Sequence, residues 1–176
     1  MQDKGYIQIY TGDGKGKTTC AVGLAVRAAG NGYKVNFVQF MKSWQTGELK
    51  ILENIPGVSI YRFATPKDFT WNLTEEEKEE LIKNIEKGFE NVKNLIMSNS
   101  CDMLIIDELV GVLSQGYLDE AKVIEVLQSK PEHMEIILTG RNASAQLIEV
   151  ADLVTEMKEV KHYYSKGVVA RKGIEF

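Results

Sequence analysis

The run Gly12-Asp13-Gly14-Lys15-Gly16-Lys17-Thr18-Thr19 constrains this chain more than any other stretch. Before it stands Tyr6-Ile7-Gln8-Ile9-Tyr10, β-branched and aromatic, bounded by Gly5 and Gly12, which reads as a strand. After it, from Lys17, the residues Val22, Ala25, Val26 and Ala29 recur at helical spacing until Asn31-Gly32 offers a stop. Glycine at alternate positions lets successive N–H groups point inward as an anion-binding nest. The following helix aims its positive end at the same point. Lys17 adds a full charge for phosphates, and Thr18 a hydroxyl for a magnesium ion. The strict nucleotide-loop pattern would put its first glycine at Thr11, so the match is near but incomplete. Strand before, helix after and Gly-Lys-Thr at the junction separate it from a glycine-rich turn with two chance lysines.

A loop of this kind needs a partner strand ending in acid. Met103-Leu104-Ile105-Ile106-Asp107-Glu108 supplies one, and either carboxylate has the chemistry to serve the metal. The remaining pattern alternates strands and helices. Strands are expected at Lys34 to Phe40, Val58 to Phe63, Glu135 to Thr139 and Leu153 to Glu156, with one more around Val168. Thr74 and Glu77 form a capping box for the longest helix, with an expected core stripe of Ile82, Ile85, Phe89, Val92 and Ile96. Helices are also expected from about Asp119 to Gln128 and from Ala145 to Val150. Such alternation predicts a mostly parallel sheet with helices on both faces.

Composition narrows the class. The chain has 176 residues, the size of one domain, and 21 Lys+Arg against 25 Asp+Glu give a formal charge of −4. That balance offers no footprint for a phosphate backbone, so nucleic acid is not an expected partner. Met1-Gln2-Asp3-Lys4-Gly5 lacks the apolar stretch of a signal peptide, so none is expected, and no apolar run approaches the length needed to span a membrane. Cys20 and Cys101 make no disulfide framework or zinc cluster, and each is expected as a small buried hydrophobe. The expectation is a soluble, cytoplasmic protein, residues 1–176 forming a single nucleotide-binding domain.

Loop and acidic strand together specify a nucleoside triphosphate with magnesium but not a reaction. The ordered set of motifs adds more. It includes Tyr10 to Thr19, Arg27-Ala28-Ala29-Gly30, Val38-Gln39-Phe40-Met41-Lys42 with Gly47-Glu48, and Phe69-Thr70-Trp71. It continues with Asp107-Glu108-Leu109, Gly116-Tyr117-Leu118, Thr139-Gly140-Arg141, Ala151 to Met157, Lys161-His162 and Gly173-Ile174-Glu175-Phe176. In these the chain resembles the ATP-dependent corrinoid adenosyltransferases of the P-loop type. The fold implied is α/β: a P-loop NTPase (RecA-like) three-layer fold with a mostly parallel central sheet.

The resemblance implies transfer of the 5′-deoxyadenosyl group from ATP to the Co(I) of a reduced corrinoid, with release of triphosphate. Gly12, Asp13, Gly14, Lys15, Gly16, Lys17, Thr18 and Thr19 would bind the nucleotide, with Asp13 near the ribose hydroxyls and Lys15 offsetting its charge. Thr18 and Glu108 would ligate magnesium, with Asp107 as a further ligand or as support behind them. Lys17 and Arg141 would neutralise the phosphates. Phe69 and Trp71 would approach the lower face of the corrin and displace its axial ligand, which makes Co(II) easier to reduce. Read without the resemblance, those two aromatics are a staple or core for the helix beside them. His162 would order the chain, and His133, beside Pro131, is expected at the surface. A homodimer and a reduced flavoprotein donor are implied as partners, and the corrinoid is either a complete cobalamin or an incomplete one. Relatives carry an N-terminal segment folding over the neighbouring subunit's site; this chain starts a few residues before its first strand. The competing readings are a P-loop ATPase or kinase cleaving the β–γ bond, and a corrinoid carrier or nucleotide-dependent regulator without turnover.

Overall fold

The computed structural model describes residues 4–42, 46–64 and 72–176. Its elements follow in the order β1 (Ile7–Thr11), α1 (Lys17–Gly30), β2 (Val35–Phe40), α2 (Gly47–Leu52), β3 (Val58–Phe63) and α3 (Glu75–Met97). Then come β4 (Met103–Asp107), α4 (Leu109–Ser114), α5 (Glu120–Gln128), β5 (Glu135–Thr139), α6 (Ala145–Val150) and β6 (Leu153–Glu156). The six strands form one sheet in the order β3-β2-β4-β5-β1-β6, and every pair is parallel. Parallel strands are reached only by crossovers, and helices make them here.

Helices cover both faces, so β2, β4 and β5 are buried along their whole length. One core gathers Ile9, Val38, Phe40, Leu104, Ile106 and Leu138 beneath α3 to α6. The other gathers Tyr10, Phe37, Met103, Ile105 and Ile137 beneath α1 and α2. The three-layer α/β fold expected from the sequence is the fold observed. No helix among the described residues is long and apolar enough to cross a membrane.

The capping box is present. The Thr74 hydroxyl accepts from the Glu77 N–H at 3.2 Å, and the Thr74 N–H donates to the Glu77 carboxylate at 3.0 Å. The stripe of α3 begins at Leu81, not Ile82, and runs through Ile85, Phe89, Val92 and Ile96. Gly88 sets how closely this helix lies on the sheet: a Cβ there would fall 2.5 Å from the Phe40 ring. On α1 the buried residues are Ala21, Ala25 and Ala28, while Val26 is exposed. Small side chains at the centre allow the close approach, with Val22 and Ala29 packing partly buried beside them. Cys20, one position off that stripe, is exposed, and Cys101 is buried as expected.

Two six-residue helices, α2 and α4, have no counterpart in the sequence reading. Around Val168 there is no strand; the described tail instead makes a 3-10 turn at Tyr163–Lys166.

Candidate active site

Parallel pairing brings the carboxyl ends of all six strands to one edge, where the loops gather. Register then decides which residues meet. Gln39 stands opposite Asp107, Ile106 opposite Leu138, and Tyr10 opposite Thr139. Gln39, Asp107 and Thr139 therefore line up across β2, β4 and β5. Backbone strain concentrates at the same edge. Met41, Ala64 and Glu108, each directly after a strand, have φ of 60°, 52° and 67°. Non-glycine residues adopt that left-handed region only when the surroundings impose it.

The phosphate loop joins β1 to α1. Gly12 and Gly16 hold φ of 94° and 122°, values that favour glycine. The Gly14 N–H donates to the Met157 carbonyl at 2.7 Å, and a Cβ on Gly14 would sit 2.7 Å from that same oxygen. The chain leaving β6 thus clamps the loop from outside. Gly16 caps α1 without a side-chain hydrogen bond, so no side chain competes with an anion there. The Lys17 ammonium donates to the carbonyls of Gly12 at 2.7 Å and Gly14 at 2.8 Å, bracing the loop from within. Burial pushes its pKa down, and Arg141 adds to that shift while Glu108 and Asp13 oppose it. Those four side chains share one electrostatic neighbourhood.

Asp107 is the hub, fully buried, with both oxygens doubly engaged. Oδ1 accepts from Thr18 Oγ1 at 2.9 Å and Thr139 Oγ1 at 2.6 Å. Oδ2 accepts from Gln39 Nε2 at 3.1 Å and Lys42 Nζ at 2.9 Å. The Thr139 hydroxyl also accepts from the Glu108 N–H at 3.0 Å, tying the strained residue to β5. Burial raises the Glu108 pKa, Asp107 raises it further, and Lys42, Lys17 and Arg141 oppose.

The residue chemistry here fits magnesium. Thr18, Asp107 and Glu108 offer only hard oxygen donors, and Gln39 Oε1, buried beside them, has no hydrogen-bond partner among the described residues. Among the described residues no three His, Cys, Asp or Glu cluster into a self-sufficient metal site. Magnesium bound together with a nucleotide needs only one or two carboxylates, the substrate phosphates supplying the rest.

Around this centre the expected residues separate. Arg141 and Asp13 come within 3.9 Å of each other, both largely exposed. Lys15 does not turn to Asp13. Its ammonium pairs with Glu175 at 2.8 Å and meets the Tyr163 hydroxyl at 3.3 Å. Glu175 also accepts from Tyr163 and Arg171, and these donors, Lys15 first, hold its carboxyl well below the usual range. His162 caps the 3-10 turn, its Nδ1 accepting from the Tyr164 N–H at 3.1 Å, the chain-ordering part expected of it. His133 is half-buried, so its expected exposure is only partial. Phe69 and Trp71 lie outside the described residues.

Sequence reasoning gave no role to Gln39, Lys42, Thr139, Tyr163 or Glu175, although all but Tyr163 lie within its quoted motifs. No local pattern marks them, because each meets its partner across the sheet or over much of the chain.

A three-layer parallel sheet with a phosphate loop and an acidic strand end at one edge defines the P-loop nucleotide-triphosphatase fold class. Comparison with known proteins is more specific. Residues 3–176 match the family model described as ATP:corrinoid adenosyltransferase BtuR/CobO/CobP. The corrinoid adenosyltransferase of Escherichia coli is 37% identical over 177 residues, which cover 100% of this chain and 88% of that protein. One from a Sinorhizobium species is 38% identical, covering 99% of this chain and 81% of that one. Corrinoid adenosyltransferase CobA of Salmonella typhimurium is 36% identical, covering 100% and 88%. The chain belongs to the ATP:corrinoid adenosyltransferase family, a class of ATP-dependent transferases.

Proposed function

We propose that this chain adenosylates a reduced corrinoid in adenosylcobalamin formation, with the carboxyl edge of the sheet as its active site. The electron pair of Co(I) attacks C5′ of ATP, a cobalt–carbon bond forms, the C5′–O bond breaks, and triphosphate leaves with that bond's electrons. Because Co(I) is itself a strong nucleophile, the protein needs no activated Ser, Cys or His. Its work is to position ATP, neutralise the leaving triphosphate and exclude water.

The observation that carries this reading is the junction of Thr18 with Asp107 at 2.9 Å, within a family match over residues 3–176. The backbone of the loop at residues 12–16 cradles the triphosphate, with the Gly14 N–H held by the Met157 carbonyl to fix the loop's shape. Lys15, Lys17, Thr19 and Arg141 stand around the phosphates, with Asp13 toward the ribose. Thr18 and Glu108 hold magnesium, while Asp107, already accepting four donors, anchors them from behind. Magnesium supplies charge to the leaving triphosphate when bound. The fold acts as one nucleotide-binding domain over residues 1–176, in the cytoplasm, as a homodimer. A reduced flavoprotein delivers the electron that takes Co(II) to Co(I). Phe69 and Trp71 meet the lower face of the corrin and remove its axial ligand.

The test begins with ATP, magnesium and chemically generated Co(I) corrinoid. The absorption spectrum of the adenosylated product should appear only when protein and ATP are both present; its absence refutes the transferase reading. Replacing Phe69 and Trp71 by Ala should slow the reaction started from Co(II) with a protein reductant far more than the one started from Co(I). Equal losses in both would mean that the pair merely packs.

A further inference from the structure

Lys42 carries more than its place after β2 requires. Its Nζ lies 2.9 Å from Asp107 Oδ2 and 3.1 Å from Thr18 Oγ1, between the strand-end acid and the phosphate-loop hydroxyl. Its side chain is 19% exposed and Asp107 is 0% exposed, so solvent does little to weaken the pairing. The backbone behind it is fixed. Arg62 donates to the Lys42 carbonyl at 2.8 Å, and the Met41 N–H donates to the Ala64 carbonyl at 3.1 Å. Met41, at φ 60°, turns the chain so that the next side chain enters the site. A pinned backbone leaves the four-carbon stem of lysine as the part free to move.

We infer that Lys42 is a resident counter-cation: its ammonium fills the cation position beside Thr18 and Asp107, keeps bare divalent metal out, and yields only to metal arriving with ATP. This rests on the reading of Thr18, Asp107 and Glu108 as the metal site. The physical reason is charge. Asp107 and Glu108 together place two carboxylates at the mouth of the loop, a trap for any divalent ion. One ammonium hydrogen-bonded to Asp107 offsets that carboxylate's charge and occupies the Thr18 hydroxyl. Triphosphate restores the balance. It brings the negative charge that draws in the metal, and it gives the displaced ammonium a new anionic partner. Gln39 Oε1, on the side chain that shares Asp107 Oδ2 with Lys42, has no hydrogen-bond partner among the described residues and is an acceptor available beside the displaced ammonium. Loading would then be ordered, with metal and nucleotide entering as one complex.

Manganese(II) serves as the probe, followed by electron paramagnetic resonance on the whole chain, without corrinoid so that no turnover occurs. Wild-type protein should bind it weakly alone and tightly with ATP. Lys42→Met should tighten binding without nucleotide by about tenfold or more, a cautious share of what leaving a buried charge unpaired costs. Lys42→Arg should not. Lys42→Gln repeats the test should the Met variant fold poorly. An independent arm uses wild-type protein. The side-chain NMR signal of Lys42, assigned by its loss in Lys42→Arg, should shift with magnesium and ATP together and stay still with magnesium alone. Unchanged nucleotide-free affinity in both uncharged variants, with manganese still binding alongside ATP, overturns the inference and spares the metal site. A Lys42 signal that ignores magnesium–ATP overturns it in the same way. No manganese binding even with ATP sinks the metal-site reading and this inference together.

Discussion

Two lysine–carboxylate pairs flank the phosphate loop at nearly equal distances, Lys42–Asp107 at 2.9 Å and Lys15–Glu175 at 2.8 Å. Their surroundings differ. Asp107 is fully buried and takes two hydroxyls and an amide besides its lysine. Lys15 is 43% exposed, and its partner sits on the last turn of the chain. Distance alone would rank the pairs as equals, but burial ranks them apart. The inner pair cannot lose a member without stranding charge in the core, whereas water and salt replace the outer one at little cost. The inner cluster is thus the fixed frame of the site, and the outer one a tether of the tail to Lys15.

The largest effect that would sharpen this contrast is expected from Asp107→Ala. It strands the Lys42 ammonium, two hydroxyls and the Gln39 amide. Because Lys42 keeps some exposure, the loss should fall near the low end for a broken buried pair, about 3 kcal/mol. In a chain of this size that is roughly 6–12 °C in Tm, read by thermal denaturation. A loss no larger than that of Glu175→Ala would erase the distinction.

Lys17→Ala comes next. Its ammonium braces the loop through two carbonyls and carries charge for the triphosphate. Turnover should fall by about a hundredfold or more, the scale set by removing one charge-stabilising donor from an active site. Tm should move little, since no core contact is lost. Near-normal ATP affinity and rate would show that the charge on the phosphates comes from elsewhere.

These contrasts also show what was legible in the chain. Most strands were, because short apolar, β-branched runs have few alternatives; Val58–Phe63, Met103–Asp107 and Glu135–Thr139 stand where the pattern puts them. The phosphate loop was legible because its chemistry is written in consecutive residues. On α1 Ala25 is buried and Val22 and Ala29 pack against the core, as the spacing predicts. Val26, however, is exposed and Ala21 and Ala28 take the centre, because close packing there favours the smaller side chain. The helix Leu109–Ser114, with no polar side chain before Ser114, displays no period that would mark it. The Asp107 hub depends on strand order, which no local spacing encodes. Glu175 reaches Lys15 across 160 residues, and only a folded tail makes that contact.

The smallest effect is expected from Glu175→Gln, with little change in Tm and a modest rise in KM for ATP as Lys15 loses its tether. The pH dependence has a definite sign. The Glu175 carboxyl has its pKa depressed in the folded chain, chiefly by Lys15. Its contribution is therefore fully present above the ordinary carboxylate value of about 4.3 and fades as pH falls below it, toward the lowered folded value. High salt should weaken the tether at neutral pH while leaving the Asp107 cluster intact. Tyrosine NMR signals from Tyr163 would follow both changes; a tail insensitive to acid and salt would mean that it packs by apolar contact instead.

The most direct test of adenosyl transfer is the fate of the phosphates. Phosphorus NMR of a reaction with ATP, magnesium and Co(I) corrinoid should show intact triphosphate, one per adenosylated corrinoid, with no ADP. ADP and inorganic phosphate in its place would contradict attack at C5′ and show a nucleotidase or kinase cutting the β–γ bond.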